Sequence, residues 1–369
     1  MTLLEQFQLW LGGVWPDWAA YIVPGIVGIL IVLAFVVISV IIFIWYERRL
    51  LGRFQVRLGP NRLGPEGIFQ PIATAVKILL KEDIVPAKGD KIVHWLAPVI
   101  VFVPVLLIFA VVPFREGAIL TDLNVGIVYV VAISSISTVG IYMAGWASNN
   151  KYALIAALRT VAQMVSYELP VVLAILGVVL MTGSLSMTQI VAAQDVPFAV
   201  LQPLGFVIFF LGTVAEMNRS PFDLLEADSE IVAGYHIEYS GMKFAMFFLG
   251  EYGHALAYSC IITTLFLSGW QGPLLPPIIW FLIKVIAVFS VIVWMRATLP
   301  RLRVDQLMSF AWKGLLPMAI INLFIIAAEV LWLPEITPWI IVAINFVFAI
   351  VLVLLWSRLF TLGGGRVEV

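Results

Sequence analysis

Cysteine occurs once in 369 residues, as Cys260, and histidine three times, as His94, His236 and His254. A single thiol excludes a disulfide framework and any cluster ligated by this chain's own cysteines. Only one histidine lies in an apolar run, so a haem held by two of them inside a bilayer is excluded. Charge is equally scarce. Charged residues make up 12% of the chain and hydrophobic ones 62%, with 21 Lys and Arg against 22 Asp and Glu, a formal net charge of −1. The mean hydropathy is +1.07. Soluble domains are about 45–50% apolar and about 25% charged. A water-soluble enzyme, a disordered chain and a nucleic-acid binder are thereby excluded, and the neutral balance argues against any polyanion partner.

What the chain does have is long apolar runs. A spanning helix needs roughly 20 such residues, and nine candidates occur, at 20–45, 95–114, 124–147, 162–182, 198–217, 244–268, 275–297, 315–333 and 337–357. The expected fold is an all-α polytopic membrane protein of about nine spans, a single membrane domain over 1–369. The first run has no basic n-region and no small-residue cleavage site, so it reads as a span rather than a cleavable signal. Only the turn around Pro334 and Pro338 separates the last two runs, so eight spans plus a hairpin is the alternative. No internal repeat or domain linker is present.

Orientation follows from the cations. All but two of the 21 fall on one side: nine between the first two runs (Arg48, Arg49, Arg53, Arg57, Arg62, Lys77, Lys81, Lys88 and Lys91), and the rest in alternate loops and the tail. Arg115 sits opposite and Lys284 lies within a run. The N-terminus is expected outside and the C-terminus inside. In the first inner loop, residues 66–82 set Ile68, Ile72, Ala75, Val76 and Leu79 at helical spacing, with Lys77 and Lys81 on the other face. This pattern predicts an amphipathic helix along the inner surface, with Pro71 in its first turn. Such a helix is either an anchor or part of a site.

A charge at the centre of a spanning helix costs about 2.5–3.5 kcal/mol, so each one is a candidate for function. Glu47 ends the first run on the inner side. Glu168 is about six residues into the fourth, roughly 9 Å from the inner face, and Glu251 about seven into the sixth, roughly 10 Å. Glu216 ends the fifth, with Arg219 expected one turn later on the same face, and Arg296 closes the seventh. Five runs thus bring ionisable groups to a similar depth, which predicts one charged, water-accessible cavity open to the inner side. Lys284 and Glu329 lie at other depths, and either continue a polar path outward or pair locally. The inner loop 218–243 is unusually acidic. Between Glu216 and Glu230 the sequence sets Glu216, Asp223, Glu226, Asp228 and Glu230 against Arg219 alone. Crowded, partly buried acids can take up and release protons at working pH. Docking on a basic partner is the other reading of this loop. Metal binding is not expected, since no EF-hand spacing is present.

Three stretches carry a family resemblance. They are Arg57-Leu58-Gly59-Pro60-Asn61-Arg62-Leu63-Gly64-Pro65; the run from Ala215-Glu216-Met217-Asn218-Arg219-Ser220-Pro221-Phe222-Asp223 through Glu230 to Glu251-Tyr252; and Arg296-Ala297-Thr298-Leu299-Pro300-Arg301 with Arg303. Together they resemble the H subunit of NADH–quinone oxidoreductase, the membrane component of respiratory complex I nearest the quinone site. The likeness extends to about residue 330. Two departures are Asp228, where many members have Glu, and the run 337–357, beyond the eight spans common in the family.

The resemblance implies a non-redox-centre subunit of a proton-translocating enzyme in a bacterial inner membrane. It implies that quinone is the substrate and that flavin and iron–sulfur clusters reside on partner subunits, with no cofactor held by this chain. Its implied partners are the peripheral subunits of the quinone site and the adjacent small and antiporter-like membrane subunits. Arg48, Arg57, Arg62, Arg219, Phe222, Asp223, Glu226, Arg296 and Arg303 would line or support the quinone chamber, whose entrance the surface helix and first span would flank. Glu168, Glu216 and Glu251, with Asp228 and Glu230, would relay charge from the chamber toward proton pumping. The alternatives are the equivalent subunit of a membrane-bound hydrogenase or of a deazaflavin-dependent dehydrogenase complex. A stand-alone secondary transporter would need internal symmetry and matched broken helices, and the sequence has neither.

Overall fold

Long apolar stretches leave backbone amides and carbonyls no partner in lipid except one another, so the chain resolves into helices. The structure is a computed structural model describing residues 17–225, 234–333 and 337–363. Its principal helices are α1 (Asp17–Phe54), α2 (Gln70–Leu79), α3 (Lys91–Phe109), α4 (Gly126–Ala147), α5 (Lys151–Thr182), α6 (Pro203–Glu216), α7 (Gly241–Phe266), α8 (Pro277–Thr298), α9 (Leu316–Trp332) and α10 (Pro338–Gly363). Short helices at Met187–Ala192 and Phe198–Leu201 precede α6, and Val304–Ser309 with a π-helical turn, Phe310–Leu315, leads into α9.

All nine apolar runs are helical. Among the described residues, seven helices are long and apolar enough to cross a membrane. The other two differ for separate reasons. Helix α6 has only 14 residues, while α7 has 26 and carries Lys243, Glu251 and His254. From Tyr252 to its end at Phe266, α7 is buried throughout, so its polarity faces protein rather than lipid. The run after 337 forms a helix of 26 residues.

Local chemistry sets the helix ends. Asp90 Oδ1 accepts from the amides of Ile92 (3.1 Å) and Val93 (3.3 Å) to start α3, and Asn150 Oδ1 accepts from Tyr152 N (3.0 Å) to start α5. Proline opens α6 and α8. The surface helix is shorter than expected. Glu66 and Gly67 sit at φ 55° and 75°, conformations that break a continuous helix, so 66–82 divides into a single 3-10 turn and α2. Pro71 does fall in its first turn.

Helix α7 forms the centre, packing on α1, α3 and α8, while α5 packs on α4, α6 and α9. Glycines allow the closest approach. A Cβ on Gly253 would lie 2.6 Å from Val105 Cγ1, and one on Gly140 2.6 Å from Val101 Cγ2. The backbones of α7 and α4 therefore rest directly on valines of α3, the small-residue packing expected where lipid offers no hydrophobic drive.

Candidate functional site

The C-terminal ends of α1 and α8 and the N-terminal half of α7 converge on the turn after α6. That turn reverses at Asn218, a non-glycine residue at φ 52°. It is held from the side by Gln163 of α5, whose Nε2 donates to the carbonyls of Ala215 (2.7 Å) and Phe222 (2.8 Å). Because α6 stops at Glu216, Glu216 and Arg219 do not share a helix face as the spacing predicted. Their side chains enter different neighbourhoods.

Arg219 turns toward α1 and α7. Its NH1 donates to both carboxylate oxygens of Glu47 (3.2 and 3.1 Å), its Nε lies 3.1 Å from Glu251 Oε1, and its guanidinium stands 4.2 Å from the centre of the Tyr252 ring. Arg296, from the end of α8, donates to Glu47 Oε1. Glu47 therefore bridges two arginines, and the side chains of Glu47 and Arg219 are each only 3% exposed. Two acids and two bases from four elements make a neutral cluster, which is how buried charge is tolerated. Burial works against the charge of Arg219, but the carboxylates of Glu47 and Glu251 hold its pKa well above the ordinary value.

Glu216 points the other way and accepts from the Tyr258 hydroxyl. Glu168 of α5 accepts from Ser135 Oγ of α4 and lies near enough to Glu216 for their charges to interact. Between Glu216 and Glu251 is a cavity of about 30 Å³, which Ser137, Asn218, His254 and Tyr258 also line. That is room for one or two waters. In place of the expected single cavity the described residues form two adjoining parts, a packed ion cluster and a small pocket of mixed polar and apolar lining beside it. Glu251 belongs to both.

Other expected residues are placed more loosely. Asp223 lies 3.1 Å from Arg301 NH2, and Phe222 is buried against Tyr167 and Phe310. Arg57, Arg62 and Arg303 are exposed and Arg48 is half-buried. Arg57 bonds only locally, its Nε donating to Gln55 Oε1 (2.7 Å). Glu226, Asp228 and Glu230 lie outside the described residues.

The sequence pattern does not single out Gln163, Ser135, Tyr252, His254, Tyr258 or Arg301 as members of the site. Gln163 and His254 carry a signal all the same, as lone polar residues in apolar runs. Arg49 adds a further contact: it pairs with Glu66 at 2.8 Å and lies over Trp45, tying α1 to the first inner loop.

Lys284 and Glu329 pair locally. Lys284 Nζ donates to the carbonyls of Leu267 (2.6 Å), Gly269 (3.0 Å) and Gln271 (2.7 Å), which caps the end of α7. Glu329 Oε2 accepts from Asn345 Nδ2 (3.1 Å), joining α9 to α10.

A helical bundle that encloses paired ions and buried carboxyl groups defines a class: a multi-pass membrane protein with ionisable chemistry in its core. A family model described as NADH dehydrogenase matches residues 27–327. A protein of Dehalococcoides mccartyi strain CBDB1, named as the H subunit of NADH-quinone oxidoreductase, is 60% identical over 344 residues, covering 93% of this chain and 98% of that relative. A protein of the same name from Brevibacillus brevis is 46% identical over 339 residues, covering 89% and 97%. The chain belongs to this family, and is a membrane subunit of the multisubunit enzyme NADH–quinone oxidoreductase.

Proposed function

We propose that this chain forms, with peripheral subunits, the chamber in which quinone is reduced, and couples that reduction to proton translocation through buried acids. The observation that carries the reading is the arrangement of three acids from α5, α6 and α7: Glu251 and Glu216 share a cavity, Glu216 accepts from Tyr258, and Glu168, bonded to Ser135 of α4, lies within range of the charges of Glu216 and Tyr258. Each carboxylate has a hydroxyl or a water-sized space beside it, which is what short proton hops require.

The chamber side supports the same reading. Quinone has a polar head and an apolar tail, so it needs an apolar approach to convergent polar groups. On α2, Ile72, Val76 and Leu79 are exposed, as is Phe69 just before it. They flank the inner end of α1, near which the Glu47, Arg219 and Arg296 cluster lies. In this reading Arg48, Arg57, Arg62, Asp223, Glu226 and Arg303 meet the head group or the partner subunits around it, and Phe222 backs the wall. Glu230 and Asp228 extend the acid route. Electrons come from flavin and iron–sulfur centres on partners, since the chain's single cysteine and three histidines offer no redox-metal site of their own. The membrane is the bacterial inner membrane, with the cationic loops facing the cytosol.

The experiment is Glu216→Gln in the assembled complex, in inverted membrane vesicles. The expected result is a fall of about tenfold or more in quinone-coupled proton uptake, with NADH oxidation by an artificial acceptor at the flavin preserved. Wild-type proton uptake, or equal loss of both activities with a dissociated complex, contradicts the role.

A further inference from the structure

His254 has no part in that route as drawn, yet it is 9% exposed and lines the cavity shared by Glu216 and Glu251. Its Nδ1 is 2.8 Å from the carbonyl oxygen of Gly250, one turn back on α7. A carbonyl can only accept, so Nδ1 carries the hydrogen and the neutral ring presents its lone pair at Nε2. That atom is buried and has no hydrogen-bond partner among the described residues. A structural histidine in a helix core has both nitrogens satisfied, whereas this one holds a basic nitrogen toward a polar space between two carboxyl groups. Asn218, which also lines the cavity, has its Oδ1 likewise without a partner among the described residues. Two unpaired acceptors on residues lining one cavity describe a water site.

We propose that His254 Nε2 is a proton-relay station, working through cavity water, between Glu251 and Glu216. This rests on the acid route proposed above and adds a member to it. A proton leaves the Glu251 carboxyl for a cavity water, which passes one of its own to Nε2. The ring is then an imidazolium, still bonded through Nδ1 to Gly250. Nε2 next returns a proton through water to the Glu216 carboxylate, and the ring is neutral again. Protons balance at each step and no other reactant enters. The titratable groups that line the cavity with the ring are Glu216 from α6, Glu251 and Tyr258 from α7 and Tyr235 from the loop between α6 and α7. Glu168 lies beyond Tyr258. A charged ring would thus have carboxylates on two sides.

The test uses the whole complex in inverted vesicles, with His254→Gln and Glu216→Gln in parallel. For His254→Gln the expected result is about tenfold slower quinone-coupled proton uptake and an increased solvent deuterium isotope effect, with flavin-level NADH oxidation unchanged. A purely structural residue would not move the isotope effect. If His254→Gln pumps as wild type while Glu216→Gln does not, the relay is wrong and the acid route stands. If neither variant is impaired, the acid route itself fails. Should His254→Gln not assemble, His254→Asn is read the same way. Failure of both to assemble assigns the ring a structural role and overturns the relay.

Discussion

Glu47 is a hinge of the ion cluster, because one carboxylate serves two guanidinium groups. Replacing it with Gln keeps the shape but leaves Arg219 and Arg296 facing each other. Removing one partner of a buried pair costs about 3–5 kcal/mol, so Glu47→Gln should markedly lower the melting temperature of the solubilised complex. Arg296→Ala should cost less, since its side chain is 32% exposed and water can replace it. Comparable losses in the two variants would contradict this ordering. The sequence predicts that Glu47, Glu168, Glu216, Glu251 and Arg296 reach a similar depth. It does not show which pair with which, because pairing depends on where α6 ends, and the turn at Asn218 sends Arg219 away from Glu216. Lys284 is opaque for a different reason. Its three partners are backbone carbonyls, which no residue letter reveals.

Among the elements, α7 illustrates how polarity within a span reads. Glu251 and His254 depress its apolar character, yet it is the helix around which the others pack, with its polar groups turned to protein. Its contact with α3 depends on Gly253 having no side chain. Gly253→Val should force the two helices apart at Val105, at a cost of about 1–3 kcal/mol, and lower the yield of assembled complex. Assembly and stability equal to wild type would show that the seam can absorb the added atoms. The surface helix shows the opposite limit of legibility. Its apolar spacing and Pro71 are visible in sequence, but Glu66 and Gly67 cut its start short through positive φ angles, a backbone demand that hydrophobic periodicity does not register.

For the whole molecule, cation asymmetry predicts an orientation that can be checked directly. Single cysteines at Arg115 and Lys151 should be labelled by an impermeant reagent from opposite sides, position 115 in intact cells and position 151 only in inverted vesicles. Cys260 is buried and should contribute no background. Labelling of both from one side would invalidate the topology and, with it, the placement of the cluster at the inner face. The overall architecture is legible in the sequence because lipid permits little besides helices. The joint between the ion cluster and the water-sized cavity is not, since it depends on side-chain directions on α6 and α7.

If the buried acids couple quinone reduction to proton movement, they must change protonation when quinone is reduced in the assembled complex. Infrared difference spectroscopy of that complex, before and after quinone reduction, observes this directly. The expected signal is a carboxyl C=O band that shifts in hydrogen/deuterium exchange and is lost in Glu216→Gln, with flavin reduction unaffected. A difference spectrum in the carboxyl region that is unchanged by Glu216→Gln and by Glu251→Gln would contradict the coupling role.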